Sequence, residues 1–178
     1  MRFGVIGTLN FKRKWVYTVF FASRGYNNDS TDTRLTLYDL RLDIPILANM
    51  NISIGKQKES ISMERLTSLV FLPWQERSAA ADALIPIRNY GVVLNGTAFG
   101  NRSSWATGVF KNWIDSDVSW SETPTQWTTR ITGIPAISTD DSNLLHLGAS
   151  LRYSGGREDL VGKTEAEFFQ APIFVETV

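Results

Sequence analysis

The chain is expected to be all-β, an antiparallel up-and-down barrel whose strands cross a membrane, and three observations carry that expectation. Apolar and polar residues alternate with a period of two through most of the sequence, as in a strand with one apolar and one wet face. The alternating runs are about ten residues long, nearer the roughly 9–11 of a tilted membrane strand than the roughly 5–6 common in globular sheets. Short turns alternate with longer polar loops, the habit of an up-and-down barrel whose turns gather at one rim.

The elements follow in order. A first strand is predicted over 2–11, where Phe3, Val5, Leu9 and Phe11 alternate with Arg2, Thr8, Asn10 and Lys12, and a second over 14–24, with Trp15, Tyr17, Val19 and Phe21 on one parity. In 34–45, Tyr38, Leu40, Leu42 and Ile44 oppose Asp39, Arg41 and Asp43. Further strands are predicted over 49–57, 88–99 and 103–113. In 125–134, Trp127, Thr129 and Ile131 oppose Gln126, Thr128 and Arg130; in 143–154, Leu145, Leu147, Ala149, Leu151 and Tyr153 oppose His146, Gly148, Ser150 and Arg152. A weaker pattern over 166–176 brings the count to about nine.

Lys12-Arg13-Lys14 and Gly100-Asn101-Arg102 read as tight turns, while 25–33, 114–124 and 138–142 read as polar loops. The stretch 59–86 breaks the rhythm, with short helical turns expected around Ser62 to Thr67 and Ser78 to Ala83. A loop of more than about 15 residues is uncommon unless it has a function or packing of its own. The 178 residues suit one domain.

Composition narrows the functional classes. Lys plus Arg number 18 and Asp plus Glu 18, a balance that argues against nucleic-acid binding. With no cysteine and one histidine, His146, disulfides, thiolate zinc sites and Cys nucleophiles are excluded. No helical membrane span is available, since the longest uncharged stretch is 89–101 and a helix needs about 18 apolar residues. No signal-peptide pattern opens the chain.

Enzymatic readings find little support. His146 sits between Leu145 and Leu147 on a strand pattern, and no Gly-x-Ser-x-Gly elbow accompanies it. Asp140-Asp141, Glu158-Asp159 and the Asp115, Asp117 pair fall in polar loops, where solvated charge is the default. No catalytic residue, metal site or cofactor is expected.

Alternation alone also fits a soluble β-sandwich. Aromatics near predicted strand ends (Trp15, Phe20, Phe21, Tyr38, Tyr90, Trp105, Trp113, Trp127, Tyr153) favour the membrane reading, because interfacial girdles are aromatic. So does a wet parity of Thr, Ser, Asn, Gly and Arg, which suits a water-filled lumen. The alternative is a soluble β-sandwich module that binds carbohydrate through its Trp rings.

The run Gly55 to Ser68 (Gly-Lys-Gln-Lys-Glu-Ser-Ile-Ser-Met-Glu-Arg-Leu-Thr-Ser) resembles the phosphate-selective porin O and P family, which carries Gly-x-x-Lys-Glu-Pro-x-Ser-x-Glu-x-x-Thr-Ser at the end of a strand. Ser60 stands where that family has Pro. Phe71 to Arg77 is similar to its Phe-(x)-Glu-Arg segment and Ile87-Arg88-Asn89-Tyr90-Gly91-Val92 to its Arg-Asn-x-Gly-Val strand. Trp105 to Phe110 and Leu144 to Tyr153 are similar to later strands, so the resemblance runs from about Leu35 to Val175.

The resemblance implies a porin-type barrel in the bacterial outer membrane, a homotrimer in contact with outer-membrane lipid, passing small anions such as phosphate. Since that family builds about sixteen strands, the chain is expected to be an internal fragment, a single partial barrel domain over 1–178 with 59–86 as a possible constriction loop. Cations in a narrow lumen ease partial dehydration of an anion and repel cations. On the wet parity Arg41, Arg130 and Arg152 are candidates for this work, with Lys12 and Arg24 beside them. Lys58 falls on the family's lysine, and Arg65 and Arg77 lie in the long segment. Asp39 and Asp43 on the same parity are expected to weaken a purely anion-selective lumen.

Overall fold

A computed structural model describes residues 2–23, 35–68, 77–79, 81, 85–86, 88–111, 113–114, 119–138 and 143–155. These form eight strands: β1 (Arg2–Asn10), β2 (Lys14–Ser23), β3 (Leu35–Leu47), β4 (Met50–Gln57), β5 (Asn89–Ala98), β6 (Ser103–Lys111), β7 (Gln126–Ile137) and β8 (Leu144–Ser154). One four-residue helix, α1 (Met63–Leu66), follows β4. The strands make a single sheet in sequence order, β1 through β8, every neighbour antiparallel. The predicted strand at 166–176, the loop at 25–33 and the carboxylate pairs at 115–117, 140–141 and 158–159 lie outside the described residues.

The connections divide largely as the pattern predicts, except that 138–142, read with the longer loops, falls on the rim of the short turns. At one rim the strands join through 11–13, 48–49, 99–102 and 138–143, and at the other through 24–34, 58–88 and 112–125. The turn after β5 places Phe99, Gly100 and Asn101 at φ 53°, 63° and 67°; Asn and Gly tolerate that left-handed region best. Asn49 ties its own turn to the next hairpin, donating from Nδ2 to the Thr97 carbonyl at 2.9 Å and accepting from the Thr97 N–H at 3.0 Å.

Two strands run further than the sequence suggests. β3 continues past Pro45 to Leu47 and β7 past Pro135 to Ile137. Proline cannot donate to a ladder and is tolerated at bulges, and the register shifts between Pro45 and Leu47 and again between Gly133 and Ala136. A third shift changes a side chain's face. The register steps between Phe20 and Phe21, which pair with Asp39 and Leu37, leaving Tyr38 as the extra residue. Tyr38 had been expected on the apolar parity. The bulge instead sets it beside Asp39, where Arg88 stacks 3.5 Å from its ring centroid and Arg2 4.1 Å.

Register gives the sheet two unlike faces. One carries Val5, Val19, Leu40, Ile54, Val92, Val109, Ile131 and Leu151, the other Thr18, Arg41, Ser53, Asn95, Thr128, Arg130 and Arg152. The apolar face is the uncovered one: Val5, Ile54, Val92, Val109, Ile131 and Leu151 are 43–59% exposed. Among the described residues the buried apolar side chains are Ala81, Val93 and Phe110. Val93 and Phe110 stand on the polar face, opposite Ser53 and Gln126 respectively. Aromatic pairs mark both rims, Phe11 with Trp15 at 4.8 Å and Trp113 with Trp120 at 5.4 Å.

Strands four apart lie about 19 Å from each other along a sheet, and Glu59, two residues beyond β4, nonetheless meets Arg152 of β8 at 2.7 Å. The chain leaving β4 thus reaches over the polar face, and the two enclose a trough.

Candidate functional site

The polar face and the chain that crosses it form the candidate site. Gly55 prepares the crossing from within β4. Its φ of +122° is one that L residues rarely adopt, and a Cβ there would lie 2.0 Å from the Leu40 carbonyl oxygen. Beyond β4 the segment 58–68 turns over the polar face: Ser60 and Leu66 line a cavity of about 360 Å³ together with Asn51, Asn95, Ser104, Ala106 and Arg130 from β4 to β7. Ser62, at φ 57°, caps α1 and accepts from the Arg65 N–H.

The segment is stapled to itself by its own cations. Lys58 donates to the carbonyls of Leu66 at 2.9 Å and Thr67 at 3.4 Å. Arg77 donates to the carbonyls of Glu64 at 3.2 Å and Thr67 at 3.0 Å, and Arg65 to those of Ala81 at 3.1 Å and Ile85 at 2.6 Å. Glu64 accepts from both the backbone N–H and the hydroxyl of Ser78, which hold its carboxyl below the usual carboxylate range. Lys58 and Arg77 thereby sit where the last carbonyls of a short helix are otherwise unpaired.

Lys58 is the most perturbed of them. Burial pushes its ammonium down to about 8, with neighbouring Arg88, Arg77 and Arg65 acting in the same direction and Asp39 against them. A desolvated amine beside other cations gives up its proton early.

The segment meets the wall at its ends. At the entry Glu59, 1% exposed, accepts from Arg152 Nε at 2.7 Å and from Asn89 Nδ2, and Asn89 also donates to Gln126 Oε1 at 2.8 Å. At the exit Arg88 holds Asp39 with two parallel bonds, 2.7 Å and 3.0 Å, a fork-on-carboxylate geometry of the stronger kind. Along the wall Asp43 accepts from Ser53 and from Arg41 at 3.0 Å, and Asn95 donates to Ser53 Oγ at 3.1 Å.

The six residues singled out from sequence thus separate into groups. Lys58, Arg65 and Arg77 come together in the segment, bonded to backbone carbonyls. Arg41 and Arg152 stand on the wall paired with carboxylates. Arg130 lines the cavity and has no carboxylate partner among the described residues. Asp39 and Asp43, expected to oppose a positive lumen, are each matched by an arginine. Of the other candidates, Lys12 lies in the exposed turn after β1, and Arg24 is outside the described residues.

Sequence reasoning missed Arg88 and Asn89, which together with Glu59 do most of the joining. A signal was present: Glu59 stands in the Lys-Glu pair, and Arg88 and Asn89 in the Arg-Asn-x-Gly-Val block, on which the family resemblance rests. No group of three His, Cys, Asp or Glu residues that could hold a metal ion occurs among the described residues. No protein-family model matches the chain, and no curated protein matches it at a significant level.

Proposed function

We propose that this chain is part of the wall of a porin-type β-barrel in a bacterial outer membrane, enclosing a water-filled passage for small, phosphate-like anions. One observation supports this reading above the rest. A single sheet leaves its apolar parity uncovered, while its polar parity lines a trough that a cation-rich segment enters. In water such an apolar face is a liability; against acyl chains it is the required surface. A sandwich would press the same residues against a second layer, and among the described residues there is one sheet.

Anion preference follows from where charge is left over. Asp39, Asp43 and Glu59 are each paired with an arginine and Glu64 lies in the field of Arg77 and Arg65, so among the described residues Arg130 and Lys58 supply positive charge that no carboxylate holds in an ion pair. A monovalent anion 4 Å from one of them gains about 4 kcal/mol at an effective dielectric constant of about 20, and a cation loses as much. Hydroxyls and amides of Asn51, Asn95 and Ser104 replace part of the water shell a permeating ion sheds. The segment 58–68 acts as the constriction, because it brings Lys58 in from the wall.

The test is electrical. The full-length protein that contains this chain, folded in detergent and added to a planar bilayer under a salt gradient, is expected to give open-channel steps with a reversal potential of anion-selective sign. A cation-selective reversal potential would remove the anion assignment. Absence of steps, with protein that stays dispersed without detergent, would remove the pore and favour the sandwich.

A further inference from the structure

We propose that Glu59 is a positioning residue: its buried carboxylate, gripped by Arg152 and Asn89, fixes the segment after β4 over the polar face and so sets the free width beside Arg130. The consequence for width rests on the pore reading; the geometry does not.

A glutamate two residues beyond a strand would ordinarily reach solvent, and burying a carboxylate is costly unless it is paired and hydrogen-bonded. Glu59 is 1% exposed and has both kinds of partner: the guanidinium of Arg152 at 2.7 Å and 3.4 Å, and the amide of Asn89. Its reach joins three strands, since Arg152 belongs to β8, Asn89 to β5, and Asn89 passes the contact on to Gln126 of β7. Opposite Arg152 in register stands Thr128, which is fully buried, so the contact is sealed from water.

The remaining polar bonds described for the segment are internal to it. Lys58, Arg65, Arg77 and Glu64 all close onto groups between Glu64 and Ile85. Of the bonds among the described residues, those that join the segment to the sheet lie at its two ends. Arg88 with Asp39 holds one end at β3, and Glu59 holds the other at β8. Ser60 and Leu66, which face Arg130 across the cavity, follow directly from the Glu59 anchor.

The experiment uses Ser60→Cys as a reporter in the full chain. Ser60 is 8% exposed and the protein has no cysteine of its own, so maleimide labelling reads release of the segment at one site. With the anchor intact, labelling should be slow. Glu59→Gln removes the charge and should speed labelling by about tenfold or more, since breaking a buried pair strands its partner. Asn89→Ala should give a smaller rise in the same direction. Exchanging the charges (Glu59→Arg with Arg152→Glu) should bring the rate back toward that of the parent.

In bilayers Glu59→Gln should change unit conductance, with the charge-exchanged protein returning toward the parent value. Labelling of Glu59→Gln and Asn89→Ala at the parent rate would overturn the proposal, as would a charge-exchanged protein as reactive as Glu59→Gln. If Glu59→Gln does not fold, Asn89→Ala decides alone: an unchanged rate overturns the anchor. Labelling needs no current, so a parent without channel steps would end the pore reading and leave the anchor standing.

Discussion

Lys58 holds its ammonium against the carbonyl oxygens of Leu66 and Thr67, and this position gives it a titration of its own. With a value of about 8 in the folded protein against an ordinary 10.5, it is charged at neutral pH and loses its proton well before an exposed lysine would. Anion preference, read from the reversal potential, is therefore expected to decline as pH rises from 7 to 9 through about 8, and Lys58→Met should flatten that decline. The sign for stability is opposite. Between about 8 and 10.5 the unfolded chain binds the extra proton, so unfolding free energy from this group rises with pH in that window. Arg130, without a carboxylate partner among the described residues, is expected to act at every pH; Arg130→Gln should weaken anion preference throughout.

At the scale of the element, β4 and the chain leaving it depend on one backbone conformation. Gly55 at φ +122° brings its Cα against the Leu40 carbonyl, so Gly55→Ala adds a methyl group at 2.0 Å from that oxygen. The conformational strain alone is worth about 1–3 kcal/mol, and the clash adds to it. Urea unfolding of the detergent-folded protein should show the loss as a lower midpoint. Gly100, at φ +63° with open space around it, is the contrast: Gly100→Ala meets no atom within 4 Å and should cost only the backbone term, about 1 kcal/mol. Similar midpoints for the two variants would refute the role assigned to Gly55.

At the scale of the whole molecule, the question is what the apolar face meets. Ile131 and Ala106 stand on adjacent strands with opposite parity, Ile131 exposed on the apolar face and Ala106 on the polar face lining the cavity. If acyl chains cover the apolar face, Ile131→Arg should destabilise the protein in lipid vesicles by about 2–4 kcal/mol. Ala106→Arg, pointing into the trough, should leave stability in lipid much closer to the parent and alter conductance instead. The reverse order of sensitivity would place the protein's dry interior on the polar side and defeat the membrane reading.

Much of the fold was legible in the residues, and the reason is steric. Side chains on a regular strand alternate between its two faces, so a run such as Leu40 to Ile44 declares both the strand and its faces, and eight strands follow nearly as the alternation predicts. Local patterning failed where geometry departs from strict alternation. Tyr38 changed face at a bulge that depends on its pairing with β2, and β3 and β7 run past the expected bounds of 34–45 and 125–134 through register shifts beside Pro45 and Pro135.

The site was legible in its residue types and not in its partnerships. Basic residues over 58–77 marked the crossing segment, yet that Lys58 and Arg77 close onto carbonyls while Arg130 has no carboxylate partner among the described residues depends on which atoms the fold brings together. By itself, then, the amino-acid order determined the strands, their order and their two-faced character, because these depend on neighbours along the chain. Tertiary structure alone decided the course of the chain over the polar face and the contact of Glu59 with Arg152, because a pairing across 93 residues exists only once the intervening strands have brought its ends into reach.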